Sequence, residues 1–191
     1  KGVRNKIQET SADGRIVYND IFPHVRVKRG DAAANLWGIE GNDTNTYLAT
    51  SPTGTATGFG ADLMLIDDLI KNEYEARNDN VKEQHWKWFT DTMLSRREGR
   101  RKVIVVMTRW ASDDLAGRLI EALDRQGKKY RLICYKAFDG HSMLCEDILS
   151  RAQYEDILQG DTGKDIIEAN YNQSPIDITG RLYSQLQTYD E

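Results

Sequence analysis

Cysteine and histidine are scarce in this sequence of 191 residues, and neither type occurs in a functional spacing. The two cysteines are Cys134 and Cys145, and the three histidines are His24, His85 and His141. Zinc sites and redox pairs need such residues at short, characteristic intervals. The sequence therefore argues against a zinc-binding protein and against a fold held together by disulfides.

Long apolar runs are also lacking. None approaches the roughly 20 residues that a helix needs to cross a bilayer, and the chain does not open with the charged-then-apolar pattern of a secretory signal. We therefore expect a soluble, intracellular protein with no membrane contact. The formal net charge of −4 argues against a chain coated in basic residues, although it leaves room for a local basic patch that faces nucleic acid.

The length allows one sizeable core with an appendage, and two apolar runs predict its central strands. Residues 63–66 and 103–107 are short and continuously apolar, which is typical of strands buried in a parallel sheet. Residues 130–135 and 46–50 are weaker strand candidates.

Helical patterns separate and follow these runs. Trp86, Phe89 and Met93 recur on one face of an amphipathic helix between the two strands. After the second strand, Ser112 is the expected N-cap of a helix that ends at Gly127. This alternation indicates a layered α/β domain with right-handed crossovers. The buried stripe of the second helix is predicted at Leu115, Leu119 and Leu123.

Short helices are predicted after residue 149. Ser150 and Gln153 have the spacing of a capping box, and Gly160 ends the helix that they begin. Another short helix is predicted at residues 164–171. This change in pattern indicates a helical region that is distinct from the α/β domain.

Polar residues follow both central strands, at the edge where α/β sheets bind ligands. Asp67 and Asp68 end the first strand. One carboxylate could hold a hydrated Mg²⁺ while the other orients a water molecule for nucleotide hydrolysis. Thr108 and Arg109 end the second strand and could sense the γ-phosphate. In the alternative interpretation, the acids only end a strand and Arg109 pairs with one of them.

Positive charge is concentrated just before the second strand. These residues could contact DNA phosphates, in which case binding would weaken steeply with salt. The alternative is a solvated helix end, where cations suit the helix dipole. The cluster consists of Arg96, Arg97, Arg100, Arg101 and Lys102.

Neither glycine-rich stretch has the G-x-x-x-x-G-K-[ST] spacing of a Walker A phosphate loop. Residues 54–60 precede a strand, whereas residues 160–164 follow a helix and lack Ser or Thr after the lysine. We therefore expect no Walker A loop in this chain.

In combination, several segments resemble the large terminase subunit of tailed phages, the ATPase that packages viral DNA. Residues 57–68 are similar to the Walker B segment of that family, and residues 105–110 are similar to its coupling motif. The resemblance continues in the expected order in residues 71–76, 86–89 and 113–119. From the first of these segments to the last, the match spans about a third of the chain.

The resemblance implies a fold and a set of residue roles. The fold is an α/β domain of the three-layer P-loop NTPase type, with a mostly parallel sheet, helices on both faces and an incomplete N-terminus. Asp67 would be the Walker B ligand of Mg²⁺ and ATP, and Asp68 the catalytic carboxylate. Because the family often has Glu at the second position, Glu73 is an alternative water-activating residue. Thr108 and Arg109 would form the motif that couples hydrolysis to movement.

The resemblance also implies domains and partners. Residues 1–148 would be a partial ATPase domain, residues 149–176 a helical linker region and residues 177–191 the start of a metal-dependent nuclease. The complete motor would be a homo-oligomeric ring that acts on double-stranded DNA with a portal protein and a small terminase subunit. It would work in the cytoplasm of the infected host cell.

The missing Walker A loop predicts an incomplete ATP site, and two rival interpretations stay open. We expect the isolated chain not to hydrolyse ATP efficiently, because the main phosphate cradle is absent. We also expect it not to cut DNA, because the resemblance implies that the nuclease carboxylates lie beyond Glu191. One rival is a helicase-like P-loop translocase, which shares carboxylates at a strand end. The other is a catalytically inert DNA-binding or assembly module, which the arginine cluster would serve.

Overall fold

The computed structural model describes residues 2–10, 14–30, 33–54, 58–160 and 162–176, and for residues 96–101 it describes the backbone only. The chain divides into two compact units, Lys1–Gly58 and Phe59–Glu191. In the described residues, no helix is long and apolar enough to cross a membrane. The domain boundaries expected at residues 148 and 176 stay predictions.

The first unit contains two short helices and a two-stranded antiparallel ribbon. Trp37 is buried and stacks on Tyr47, with ring centroids 4.6 Å apart. The strand predicted at residues 46–50 is present, but it belongs to this ribbon and is separate from the parallel sheet. The elements are α1 (Gly2–Gln8), α2 (Tyr18–Ile21), β1 (Leu36–Trp37) and β2 (Tyr47–Leu48).

The second unit is mixed α/β with a small parallel sheet. Its two strands are β3 (Ala61–Asp67) and β4 (Arg97–Val106), which pair in parallel with Asp67 opposite Val106. The two central strands and their parallel pairing are thus confirmed. The helices are α3 (Glu73–Ala76), α4 (Asp79–Lys87), α5 (Leu115–Arg125), α6 (Arg151–Gln159) and α7 (Lys164–Asn170).

The core lies between one face of the sheet and the helices on either side of β4. Ile66, Phe89 and Leu115 are only 1–2% exposed and form its centre. Helix α4 continues as a π-helix over Trp88–Met93, which carries Phe89 into this core. Trp86 and Met93 pack against this cluster, so the apolar face predicted for the first helix is confirmed. On the second helix Leu119 packs there as predicted, whereas Leu123 is half-buried and is not among the residues that contact the cluster.

The opposite face of the parallel sheet is open. Leu63, Leu65, Ile104 and Val106 are 47–62% exposed, so the expectation that both strands are buried on both faces is wrong for the described part of the chain. The physical reason is the alternation of side chains along a strand, which turns every second residue away from α4 and α5. The third layer expected from the resemblance stays a prediction.

Residues 130–135 do not form a strand, although they are rich in branched and aromatic residues. They have no regular secondary structure, and Leu132, Ile133 and Tyr135 are exposed. Strand propensity reflects packing against neighbouring strands, and within the described chain no strand pairs with this segment. The sequence pattern was therefore insufficient here, because a strand also needs a partner edge.

The predicted helices after residue 149 are present. Ser150 and Gln153 form the capping box at the start of α6, and Gly160 is its C-cap. Tyr154 is buried and packs near Phe138 and Tyr171 in a small aromatic cluster. The predicted start of a nuclease, residues 177–191, lies outside the described residues.

Candidate functional site

The carboxyl ends of β3 and β4 lie side by side. The backbone N–H of Asp68 donates to the carbonyl oxygen of Val106 at 2.9 Å, which extends the strand pairing one residue beyond Asp67. Thr108 lies two residues beyond Val106, which is the last residue of the neighbouring strand. The structure therefore brings the predicted carboxylates and the predicted Thr108–Arg109 segment to the same edge of the sheet.

Asp67 and Asp68 are both exposed at this edge. Asp68 has a φ of +42°, a left-handed conformation that only Gly, Asn and Asp adopt at low cost. This conformation departs from that of a strand, and β3 ends at Asp67. Within the described chain, neither carboxylate has a hydrogen-bonded or ion-paired partner.

The donor chemistry of this edge fits Mg²⁺. Magnesium prefers carboxylate oxygen ligands and usually keeps several of its waters, so one or two carboxylates are enough. Among the described residues, no group of three or more His, Cys, Asp or Glu side chains is close enough to form an all-protein metal cage. Asp67 and Asp68 thus suit a magnesium ion shared with a ligand.

Arg109 faces away from these carboxylates and into the start of α5. Its Nε donates to Oδ2 of Asp114 at 3.0 Å, and its Nη2 donates to the carbonyl oxygen of Ser112 at 3.3 Å. The alternative that Arg109 pairs with Asp67 or Asp68 is therefore wrong. The guanidinium holds the loop between β4 and α5 in place.

Asp114 is the N-cap of α5, so the expectation that Ser112 caps this helix is wrong. Its Oδ1 accepts the backbone N–H of Gly117 at 2.9 Å while Oδ2 accepts from Arg109. Its side chain is 0% exposed. Burial raises the pKa of Asp114, and the charge of Arg109 and the Gly117 N–H oppose that rise. The signal for this role was an Asp directly before the apolar stripe, since Asp caps helices as well as Ser does.

Gly117 packs directly against the loop between β4 and α5. A Cβ at this position would overlap the carbonyl oxygen of Ser112 and would lie 2.8 Å from Nη2 of Arg109. Only glycine fits here, because the obstructing atom belongs to the backbone. Gly117 lies within residues 113–119, a segment that resembles the terminase family, but the sequence alone did not indicate this packing role.

We expect Gly117→Ala to lower the free energy of unfolding by about 2 kcal/mol, despite alanine's better helix propensity, because forcing atoms into a packed site costs roughly 1–3 kcal/mol. Urea unfolding followed by circular dichroism measures this difference. Gly160→Ala is the matched control, because a Cβ there meets nothing closer than 3.3 Å. Equal stability of Gly117→Ala and the wild type would contradict the close packing.

Glu73, the alternative water-activating residue, begins α3 and is already engaged in an ion pair. Arg77 donates from Nη2 to Oε1 of Glu73, and the same nitrogen lies 2.9 Å from Oδ2 of Asp165 in α7. Because the carboxylate of Glu73 is bound by a guanidinium, it is less available to a water molecule than that of Asp68. Arg77 instead connects α3 with α7.

A cleft of about 870 Å³ lies beside these ion pairs, bordered by α3, α4, α7 and the start of α5. Lys82 is 8% exposed on its wall, with Nζ 2.6 Å from Asp113 and 3.0 Å from Asp79. Burial alone would lower the pKa of Lys82, but the hydrogen bonds to Asp113 and Asp79 outweigh it and raise the pKa. Sequence reasoning missed the cleft, because its walls come from segments that are distant in the chain.

The predicted DNA-binding arginines are only partly described. The backbone places Arg96 at the end of a 3₁₀ turn and places Arg97, Arg100 and Arg101 within β4. Their side chains lie outside the described part of the structure. Their contact with DNA therefore stays a prediction.

The fold and this edge define a mixed α/β protein with carboxylates and a threonine–arginine pair at the ends of two parallel strands. A scan of the chain against models of protein families finds no match, and a search of curated proteins finds none either.

Proposed function

We propose that this chain is part of the ATP-hydrolysing DNA-packaging motor of a tailed-phage large terminase. It would supply the Mg²⁺-binding and coupling half of the ATP site, within a three-layer P-loop domain. The observation that carries the proposal is the parallel register of β3 and β4. In that register, Asp67–Asp68, which resemble the end of Walker B, lie at the same end of the sheet as Thr108–Arg109, which resemble the coupling motif.

The roles proposed for individual residues are those that the resemblance implies. Asp67 would hold Mg²⁺, which, when bound with ATP, neutralises charge on the β- and γ-phosphates. Asp68 would orient and deprotonate the attacking water, because its carboxylate is exposed at the same edge. Thr108 would contact the γ-phosphate from the neighbouring strand, and Arg109 would hold the following loop through Asp114.

The proposed partners follow from the same motor. Double-stranded DNA would be the track, and the arginine cluster at residues 96–101 is the candidate contact. A homo-oligomeric ring, a portal protein and a small terminase subunit would complete the machine in the host cytoplasm. The feature of the chain that supports these partners is the resemblance of the segments around β3 and β4 to the large terminase subunit.

The test is Mg²⁺-dependent ATP hydrolysis by the chain joined to its native upstream segment, measured with and without double-stranded DNA. We expect hydrolysis that DNA stimulates, and little or none from the chain alone. ATP-driven strand separation would favour the helicase-like translocase. Salt-sensitive DNA binding without any nucleotide effect would favour the inert module, and either result would overturn the proposal.

A further inference from the structure

Gln173 connects the two C-terminal helices to the loop that follows β4. Its side-chain Oε1 accepts the backbone N–H of Arg109 at 3.2 Å, across 64 positions of sequence. The loop itself turns tightly here, because the N–H of Trp110 donates to the carbonyl oxygen of Thr108. The N–H of Arg109 is thus turned outward to Gln173, immediately after the proposed coupling threonine.

Both polar atoms of the Gln173 side-chain amide are hydrogen-bonded. Its Nε2 donates to the carbonyl oxygen of Asn170 at 2.9 Å. The preceding Asn172 accepts from the hydroxyl of Tyr154 at 3.0 Å, which fixes the segment to α6. The backbone of Ser174 donates to the carbonyl oxygen of Glu168 in α7. A movement of α6 and α7 would therefore be transmitted to the side chain of Gln173.

The backbone of Gln173 has a φ of +54°. A residue with a side chain adopts this left-handed conformation only at a cost, which the surrounding contacts must offset. Glycine would adopt it freely. The presence of glutamine at a position that favours glycine suggests that the side-chain contact with Arg109 has a use beyond stability.

A second contact joins the same helices to the site. Asp165, near the start of α7, binds Arg77, and Arg77 binds Glu73 at the start of α3. Both contacts therefore end on segments that carry candidate site residues. Together they attach the helical region at two separate points, one on the loop after β4 and one on α3.

We propose that Gln173 is a positioning residue that couples helices α6 and α7 to the Thr108–Arg109 segment. It does so through the hydrogen bond from the Arg109 N–H, with the Arg77–Asp165 ion pair as the second attachment. This inference rests on the proposed motor function, in which the Thr108–Arg109 segment responds to the γ-phosphate. A response there would move the helical region, and a displacement of that region would act back on the site.

The test uses two substitutions of Gln173. Gln173→Gly removes the contact but relieves the left-handed backbone, so the variant should fold with a Tm at or above that of the wild type. Gln173→Glu keeps an acceptor oxygen at the same reach but loses the donation from Nε2 to the carbonyl oxygen of Asn170, so it is the control for that second hydrogen bond. The hydrogen exchange of the Arg109 amide, measured by NMR on the chain, should be roughly five- to tenfold faster in Gln173→Gly. It should be unchanged in Gln173→Glu.

The coupling role is tested by measuring basal and DNA-stimulated ATP hydrolysis in the protein with its upstream segment. We expect Gln173→Gly to keep its basal ATP hydrolysis and to lose DNA stimulation, while Gln173→Glu retains both. Unchanged Arg109 exchange, retained DNA stimulation, or an equal fall of basal and stimulated rates in Gln173→Gly would overturn the coupling role. Absence of hydrolysis in the wild type would instead overturn the proposed function, and the exchange experiment would still decide whether the contact exists.

Discussion

Asp67→Ala is expected to lower kcat for ATP hydrolysis at least about a hundredfold in the protein with its upstream segment, because it removes the proposed metal ligand. Asp67 is exposed at the end of β3 and has no partner among the described residues, so its loss should disturb the fold little. Steady-state hydrolysis as a function of Mg²⁺ concentration measures the effect. Part of the activity should return at high Mg²⁺ if the lost interaction is with the metal.

Asp68→Asn separates water activation from metal binding. The amide keeps the size of the side chain and tolerates the left-handed backbone at this position, but it cannot take a proton. We expect kcat to fall by about a hundredfold or more with little change in ATP affinity. Glu73→Gln is the comparison, and its effect should be small because Arg77 already binds Glu73.

Two outcomes would contradict these assignments. If Glu73→Gln costs more activity than Asp68→Asn, then Glu73 rather than Asp68 activates the water. If Asp67→Ala and Asp68→Asn both hydrolyse ATP at the wild-type rate, the carboxylates serve only to end the strand.

Asp114→Ala is expected to have the largest effect on stability, lowering the free energy of unfolding by about 3 kcal/mol. The substitution removes the N-cap of α5 and leaves the guanidinium of Arg109 without its buried partner. Removing one member of a buried pair costs roughly 3–5 kcal/mol, and we expect the lower end because the side chain of Arg109 is 21% exposed. Urea unfolding measures this loss.

Asp114→Asn is the matched control. Asparagine caps helices about as well as aspartate, so the bond from the Gly117 N–H should survive while the charge opposite Arg109 is lost. Its cost should therefore be smaller than that of Asp114→Ala. A loss below about 1 kcal/mol for Asp114→Ala, the value of a cap alone, would show that the ion pair contributes nothing.

The elements that sequence reasoning predicted correctly are those with strong local signals. Apolar runs located β3 and β4, and helical periodicity located the turn that buries Phe89. The capping box at Ser150 was recognised from two residues alone. These predictions succeeded because periodicity and capping depend on neighbours within a few positions.

The errors arose where distant segments decide the outcome. Residues 130–135 have the composition of a strand but no neighbouring strand within the described chain. Serine and aspartate are both good N-cap residues. Asp114, rather than Ser112, caps α5, and its carboxylate also pairs with the guanidinium of Arg109. The missing strand partner cannot be found from local pattern, and for the cap the position of Asp114 directly before the apolar stripe was a local signal that its contact with Arg109 reinforces.

The sequence by itself determined which residues end the two parallel strands, and hence the candidate site at Asp67, Asp68 and Thr108. It did so because a buried strand must be apolar and the polar residues after it must reach the sheet edge. Only the tertiary structure decided that Arg109 turns toward Asp114 and that Gln173 binds the Arg109 backbone. Those partners are set by the packing of separate helices against one loop, which no spacing along the chain records.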